Sequence, residues 1–452
     1  MKHRRILVVG GLAAGPSAAA KARRINPQAD VVLFEATETV SYGICEAPYA
    51  ISGVIPDEGR LAAYTPERLR EEKGVDVRTL KLVEQVLPGE KTIVVRDLRR
   101  NESVEEPYDR LILATGARPK RLNVEGTDGR NVFHLSSREE TLNIIGYLER
   151  EQPKNAVIVG GGYIGMEMSE ALRRRGLDVT IVHRHRLPMA GLELATRERV
   201  LEVLERHEVH FVTNAKVEAL QQVDGRVQHV ITDRGTFDAG IVMLSLGVEP
   251  NVKLAKSGKV KVGTTGAIMT DERQQTNVEG IYAAGDCCEV KNLVSGKPMY
   301  LPLATIASKA AWVAGENAAG GRAAFKGAIR AIAVKVFDLE VAQVGISSEE
   351  ARAAGFDVVT DTITAFGKIA LMPGSGKNTI TVIIDRHSGR LLGANVYGGE
   401  GAVLRANTLG VAIQHRLTID EVSRLDMIYS PPFAPLWDPI LIAANQAKKK
   451  IK

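Results

Sequence analysis

Sulfur carries the first chemistry in this chain of 452 residues, which has only three cysteines, Cys45, Cys287 and Cys288. Cys45 lies in the run Ser41-Tyr42-Gly43-Ile44-Cys45-Glu46-Ala47-Pro48-Tyr49. Proline is tolerated in a helix only in its first turn, so Pro48 places Cys45 at or just before a helix N-terminus. Free N–H groups and the helix dipole there stabilise a thiolate, which predicts a lowered thiol pKa and reactivity near neutral pH. A carboxylate at Glu46 opposes this if it points inward. Cys287 and Cys288 are adjacent, a spacing that bridges only with strain and lacks metal-ligand geometry, so they read as buried small residues.

Two glycine-rich turns supply the second kind of chemistry. The apolar run Ile6-Leu7-Val8-Val9 reads as a buried parallel strand, and Gly10-Gly11-Leu12-Ala13-Ala14-Gly15 leads from it into a small-residue helix. Such a turn lets backbone N–H groups and a helix N-terminus approach a pyrophosphate. The next strand, Val31 to Phe34, ends in Glu35, 25 residues beyond Gly10 and near the ~20 at which an acid accepts ribose hydroxyls. Leu12 replaces the middle glycine, so this copy alone also fits a plain strand-to-helix turn. The unit returns complete after Ala156 to Val159, with Gly160, Gly162 and Gly165, a helix from Met166 to Arg175 and a strand from Val179 to Val182. Its second strand ends in His183, followed by Arg184, His185 and Arg186. An acid there repels a 2′-phosphate whereas arginine pairs with it, so NADPH is expected over NADH. Two further elements end in turns: Leu111 to Gly116, and Ile281 to Ala284 followed by Gly285 and Asp286, ahead of a helix beginning near Leu301.

The ordered set Gly10 to Gly15, Glu35, Ala114-Thr115-Gly116, Gly160 to Gly165 and Ile281 to Asp286 resembles the FAD-dependent pyridine nucleotide-disulfide oxidoreductases over residues 1 to about 325. The resemblance implies FAD at the first turn, around Gly10, Gly11, Ala14, Gly15, Thr115, Gly116 and Gly285, with Glu35 on its adenosine ribose and Asp286 on its ribitol. It implies NADPH or NADH at Gly160, Gly162 and Gly165, beside His183 and Arg184. Tyr163 matches the gate of the nicotinamide pocket and Glu167 the acid next to it. The Cys45 segment resembles S-x-G-x-C-G-L-P-Y of the single-cysteine branch, which contains coenzyme A disulfide reductases, polysulfide-reducing relatives, NADH oxidases and NADH peroxidases. Tyr429 to Pro439 resembles Y-A-P-P-F-S-P-x-W-D-P of coenzyme A disulfide reductases, where the tyrosine reaches across a dimer toward the partner's cysteine. Tyr429 is therefore the candidate hydrogen-bond or proton donor to a departing thiolate.

Lys21, Arg24, Ser41 and Lys73 fall where that family contacts coenzyme A. Several positions depart from the pattern: Glu46-Ala47 replaces Gly-Leu, Leu371-Met372 replaces Tyr-Tyr, and Trp312 stands where N-K-x-x-R has its arginine. Ala13 occupies the position at which peroxidases and many oxidases of the branch carry histidine, which favours disulfide over peroxide reduction.

The elements that position these residues follow. An α/β fold is expected, with two Rossmann-like domains and a C-terminal α+β dimerisation domain: residues 1–117 and 240–325 for FAD, 118–239 for NAD(P)H, and 326–452 for dimer contacts. The last part alternates strand-like runs (Ala331 to Phe337, Thr379 to Ile384, Leu391 to Val396) with a helix over Val403 to Ile413. A net charge of +5 spread along the chain, with short basic stretches at Lys2 to Arg5 and Lys448 to Lys450, and aromatics of 5% give no sign of a nucleic-acid surface. No apolar run reaches membrane-span or signal-peptide length, so a cytoplasmic protein is expected, and the resemblance implies a homodimer. The activity these features imply is reduction of a low-molecular-weight disulfide, persulfide or polysulfide by NAD(P)H through FAD and Cys45. Two alternatives stand beside it: an NAD(P)H oxidase passing electrons to O₂ through a Cys45 sulfenate, and an electron-transfer flavoprotein that reduces a protein acceptor.

Overall fold

A computed structural model describes residues 3–451; Lys2, part of the basic N-terminal stretch, lies outside them. The apolar runs form parallel strands buried on both faces. In the first sheet the order is Ile281–Ala283, Arg110–Leu113, Arg5–Val9, Asp30–Phe34 and Asp76–Arg78, all parallel. A strand from residue 281 thus hydrogen-bonds beside one from residue 110, so this domain is assembled from two separate stretches of chain. The helices Ala14–Ile25 and Ala304–Ala318 cover one face. They pack backbone to backbone because their contact is built from alanine and glycine: a Cβ on Gly315 would stand 2.2 Å from the Ala18 carbonyl oxygen.

The second parallel sheet has the order Val209–Val212, Asp178–Val182, Asn155–Val159, Ile241–Leu244 and Val132–Phe133. This corrects the expected boundary between residues 239 and 240, because Ile241–Leu244 pairs with Asn155–Val159 and belongs to the inserted domain. The chain crosses between the domains on two short strands, Ala117–Pro119 and Val248–Pro250, which pair antiparallel. Thr115 Oγ1 fastens this crossover by donating to the Asn251 carbonyl at 2.6 Å.

The C-terminal part is one antiparallel sheet, ordered Ala331–Val336, Leu339–Gly345, Leu391–Gly398, Lys377–Asp385 and Val358–Phe366, with the helices Ala402–Gln414 and Pro439–Ala447 packed on it. Asp438 caps the last helix by accepting from Ile440 N–H at 2.9 Å, and Pro439 fills its first turn. The same carboxylate pairs with Arg405 at 2.9 Å, both side chains being buried. Removing either partner of such a pair leaves an uncompensated buried charge. The pair therefore pins the segment that begins at Tyr429. Phe433, Leu436 and Trp437 of that segment, and Ile428 just before it, are exposed, an apolar surface that this chain leaves uncovered. Among the described residues, no helix is long and apolar enough to cross a membrane, and no group of side chains could hold a metal ion.

Candidate active site

Both glycine turns are built on one plan. Gly10 and Gly160 adopt φ of +109° and +113°, where a Cβ would strike the carbonyl oxygens of Ala114 and Ser245 at 2.1 and 2.3 Å. Gly15 and Gly165 lie so close to the strand ends that a Cβ would meet the carbonyl oxygens of Gly10 and Gly160 at 1.7 and 2.1 Å. Each turn delivers a helix, Ala14–Ile25 or Tyr163–Arg174, whose N-terminus opens beside a strand end. The second helix starts three residues earlier than its expected Met166, because Gly162 is its N-cap. The helix expected near Leu301 begins at Ala304.

The residue following the second strand is tied back to the turn in both units. Glu35 Oε2 accepts from Gly11 N–H at 2.6 Å, and its Oε1 accepts from Thr37. His183 Nδ1 accepts from Gly161 N–H at 3.1 Å, the equivalent bond. Burial and the neighbouring His185, Arg184 and Arg197 push the His183 pKa down to about 4, so the imidazole is neutral at pH 7. Arg184 beside it is exposed.

The cradle at the first turn fits FAD. Gly285, at φ +91°, leaves room only for the Ala14 methyl beneath it, and Thr115 and Gly116 form the neighbouring turn. Asp286 follows directly, with burial raising its carboxyl to about 6.

Cys45 lies in a tight helical turn, Ile44–Glu46, immediately before the helix Ala47–Ile51, with Pro48 in the first turn as the sequence predicts. Its accessible thiol behaves otherwise than expected. Surrounding protein raises the pKa, and the carboxylates of Glu46, Glu167 and Asp286 raise it further. The helix is only five residues long, and its terminus does not offset burial together with three acids. Glu167 comes from the inserted domain, where burial and Glu170 push its carboxyl up to about 7. Tyr163 lies one turn before it on the same helix, its phenol pushed up to about 12 by burial. The short Cys45 helix docks on this second helix, since Arg175 Nε donates to the Ile51 carbonyl at 2.6 Å. Tyr42, Ala47 and Ile51 also share a core with Ile158, Met166 and Val334, so all three parts of the chain fix the cysteine's position. In the apoprotein at pH 8, Glu46→Gln is expected to speed alkylation of Cys45 by iodoacetamide several-fold, because one opposing carboxylate is gone; the alkylation rate read by intact mass checks this.

Cys287 and Cys288 are buried, and Cys287 Sγ lies 3.4 Å from the Ala284 carbonyl oxygen, in keeping with a packing role.

A groove of about 1330 Å³ runs from Leu12, Gly43 and Glu46 out to the helix Ala304–Ala318. Lys21, Arg24, Ser41 and Lys73 all line it. Ser41 adopts φ +51°, held by backbone bonds to Gly11 and Ala63, a strained conformation that the surrounding turns enforce. Lys21 pairs with Glu316 at 2.7 Å. Arg23, which the sequence places with Lys21 and Arg24 on the first helix, and Tyr64, ahead of Lys73, line the same groove; Arg60 also lines it and carried no signal in the sequence. Tyr429 does not line it and stands half-exposed on the C-terminal segment.

Comparison with known proteins agrees with this geometry. Residues 4–311 match the family model described as pyridine nucleotide-disulphide oxidoreductase, and residues 332–439 match the dimerisation domain of that family. An NAD(P)H sulfur oxidoreductase (CoA-dependent) of Pyrococcus furiosus is 36% identical, covering 99% of this chain and 100% of its own. The reduced CoADR-RHD of Bacillus anthracis superposes with a TM-score of 0.97 at 31% identity, covering 100% of this chain and 81% of its own. An NAD-dependent persulfide reductase from A. fulgidus gives 0.96 at 34% identity, over 99% and 83%.

Proposed function

Because this chain belongs to the pyridine nucleotide-disulphide oxidoreductase family, we propose that it uses NAD(P)H and FAD to reduce a coenzyme A disulfide or persulfide through Cys45. The observation that carries this reading is the basic groove ending beside the one accessible cysteine. The relative matched over its whole length at 36% identity is a sulfur oxidoreductase and a structural neighbour at 34% identity is a persulfide reductase, whereas an NADH oxidase relative is 31% identical; Ala13 leaves no histidine in the first glycine turn for peroxide chemistry.

FAD, held by the Gly10 to Gly15 turn, Glu35 and Asp286, supplies two-electron transfer between the nicotinamide and sulfur. Gly160, Gly162 and Gly165 admit the nucleotide's pyrophosphate, with NADPH the proposed reductant, and Tyr163 closes the pocket until it arrives. Cys45 must lose its proton to react, and Glu167, one of the carboxylates whose charge acts on the thiol, is the proposed acceptor. The thiolate attacks one sulfur of the substrate, forming a Cys45 mixed disulfide and releasing the other sulfur as a thiolate, or as hydrosulfide from a persulfide. That leaving group takes a proton, for which Tyr429 of the partner subunit is the proposed donor. Two electrons from NAD(P)H then split the mixed disulfide, restoring Cys45 and freeing the second thiol. The C-terminal sheet and its exposed apolar segment support a homodimer with this arrangement.

Intact mass of the denatured protein before and after thiol treatment tests the reading. A coenzyme A adduct on Cys45 that thiol removes is expected, whereas an oxygen adduct would indicate the oxidase.

A further inference from the structure

The outer end of the groove is built around an aromatic ring. Ala304, Ser308 and Trp312 recur every four residues on one helix, so they face the groove together. Trp312 is 51% exposed, enough for a second ring to lie against it. Arg24 and Lys21 stand over the indole, at 5.3 and 5.6 Å from its centroid. Across the groove Tyr64 repeats the arrangement, with Arg68 and Lys73 at 5.0 and 5.2 Å. An exposed tryptophan in an open groove offers its ring to a ligand, and because Lys21 is already paired with Glu316, Arg24 is the cation at this ring placed to meet an anion.

We propose that Trp312 is the stacking platform for the nucleobase of the substrate thiol, with Lys21 and Arg24 beside it and Lys73 across the groove for the phosphates. The ligand class is a nucleotide thiol such as coenzyme A, and the inference rests on the reading above that this groove carries the substrate. A flat base has a π-face for the indole, and its phosphates meet cations that the same aromatic rings hold in place. Trp312 thereby substitutes a stacking contact for a charged one: the nucleotide is recognised by its base at this position and by its phosphates from the opposite helix.

Steady-state turnover of the holoenzyme on coenzyme A disulfide and on pantetheine disulfide, which lacks the nucleotide, tests this. Trp312→Ala is expected to raise KM for coenzyme A disulfide about ten-fold or more, with kcat and the pantetheine disulfide KM unchanged. Trp312→Phe keeps an aromatic face and should retain most of the affinity. If the native enzyme prefers coenzyme A disulfide and Trp312→Ala keeps that preference, the platform is wrong while the proposed function stands. A rise of KM for both disulfides alike also overturns it, since that reports a general disturbance. Equal KM for both in the native enzyme removes the nucleotide thiol as substrate class, and the platform with it.

Discussion

Cys45→Ser should abolish reduction of coenzyme A disulfide or persulfide, lowering kcat by at least ~10³, while NAD(P)H still bleaches the flavin absorbance at an unchanged rate. The reason lies in how the site divides its labour. The nucleotide turn, Tyr163 and Glu167 belong to the inserted domain and make no covalent bond to Cys45, so hydride delivery survives the change. Serine keeps the size and the position before the Ala47–Ile51 helix, but its hydroxyl does not form or break an S–S bond. Cys287→Ser is the matched control, because Cys287 is fully buried and directed at carbonyl oxygens; disulfide turnover is expected to stay within about two-fold of native. Stopped-flow absorbance for flavin reduction and anaerobic NAD(P)H consumption for turnover separate the two half-reactions. Retained disulfide turnover in Cys45→Ser would show that electrons leave the flavin by another route, as in a reductase of a protein acceptor.

How far such a site can be read from sequence depends on the range of the physics involved. The strand and turn that carry Gly10 and Gly160 are local: four apolar residues and a glycine run specify them, and each appears where expected. The split of the first domain was also legible, because Ile281 to Asp286 has its own signature. Ile241–Leu244 has none; an apolar run announces burial but not which of two parallel sheets will take it. Electrostatics at Cys45 were the least legible. Pro48 correctly marked the helix start, yet the thiol's pKa is raised first by burial and then by Glu46, with Glu167 and Asp286 adding to it from distant stretches of chain. Only the assembled fold shows the burial, and the two further acids beside Glu46, that so short a helix does not offset. The groove shows the same limit: Trp312 read as a missing arginine until the structure put it against Lys21 and Arg24.

Exchanging His183 for glutamate should move the nucleotide preference from NADPH to NADH, changing the ratio of their kcat/KM values by ~10- to 100-fold. Glu35 shows what an acid does at this place: one oxygen caps the turn through Gly11 N–H and the other accepts from its surroundings. A neutral imidazole has a single acceptor, and His183 spends it on Gly161 N–H. Its proton must then sit on Nε2, so it offers ribose hydroxyls no acceptor and a 2′-phosphate no repulsion. Because its pKa is pushed down to about 4, this holds across the neutral range, and the preference should not change between pH 6 and 8 through His183. Glutamate in its place restores both the second acceptor and the negative charge. Arg184→Ala tests the attractive half separately: the NADPH KM should rise about ten-fold and the NADH KM should stay, with the difference shrinking at high salt because Arg184 is exposed. A native enzyme that prefers NADH, or a His183→Glu variant whose ratio does not move, would mean that the basic run from Arg184 to Arg186 is only a solvated loop and that selection takes place elsewhere along the nucleotide.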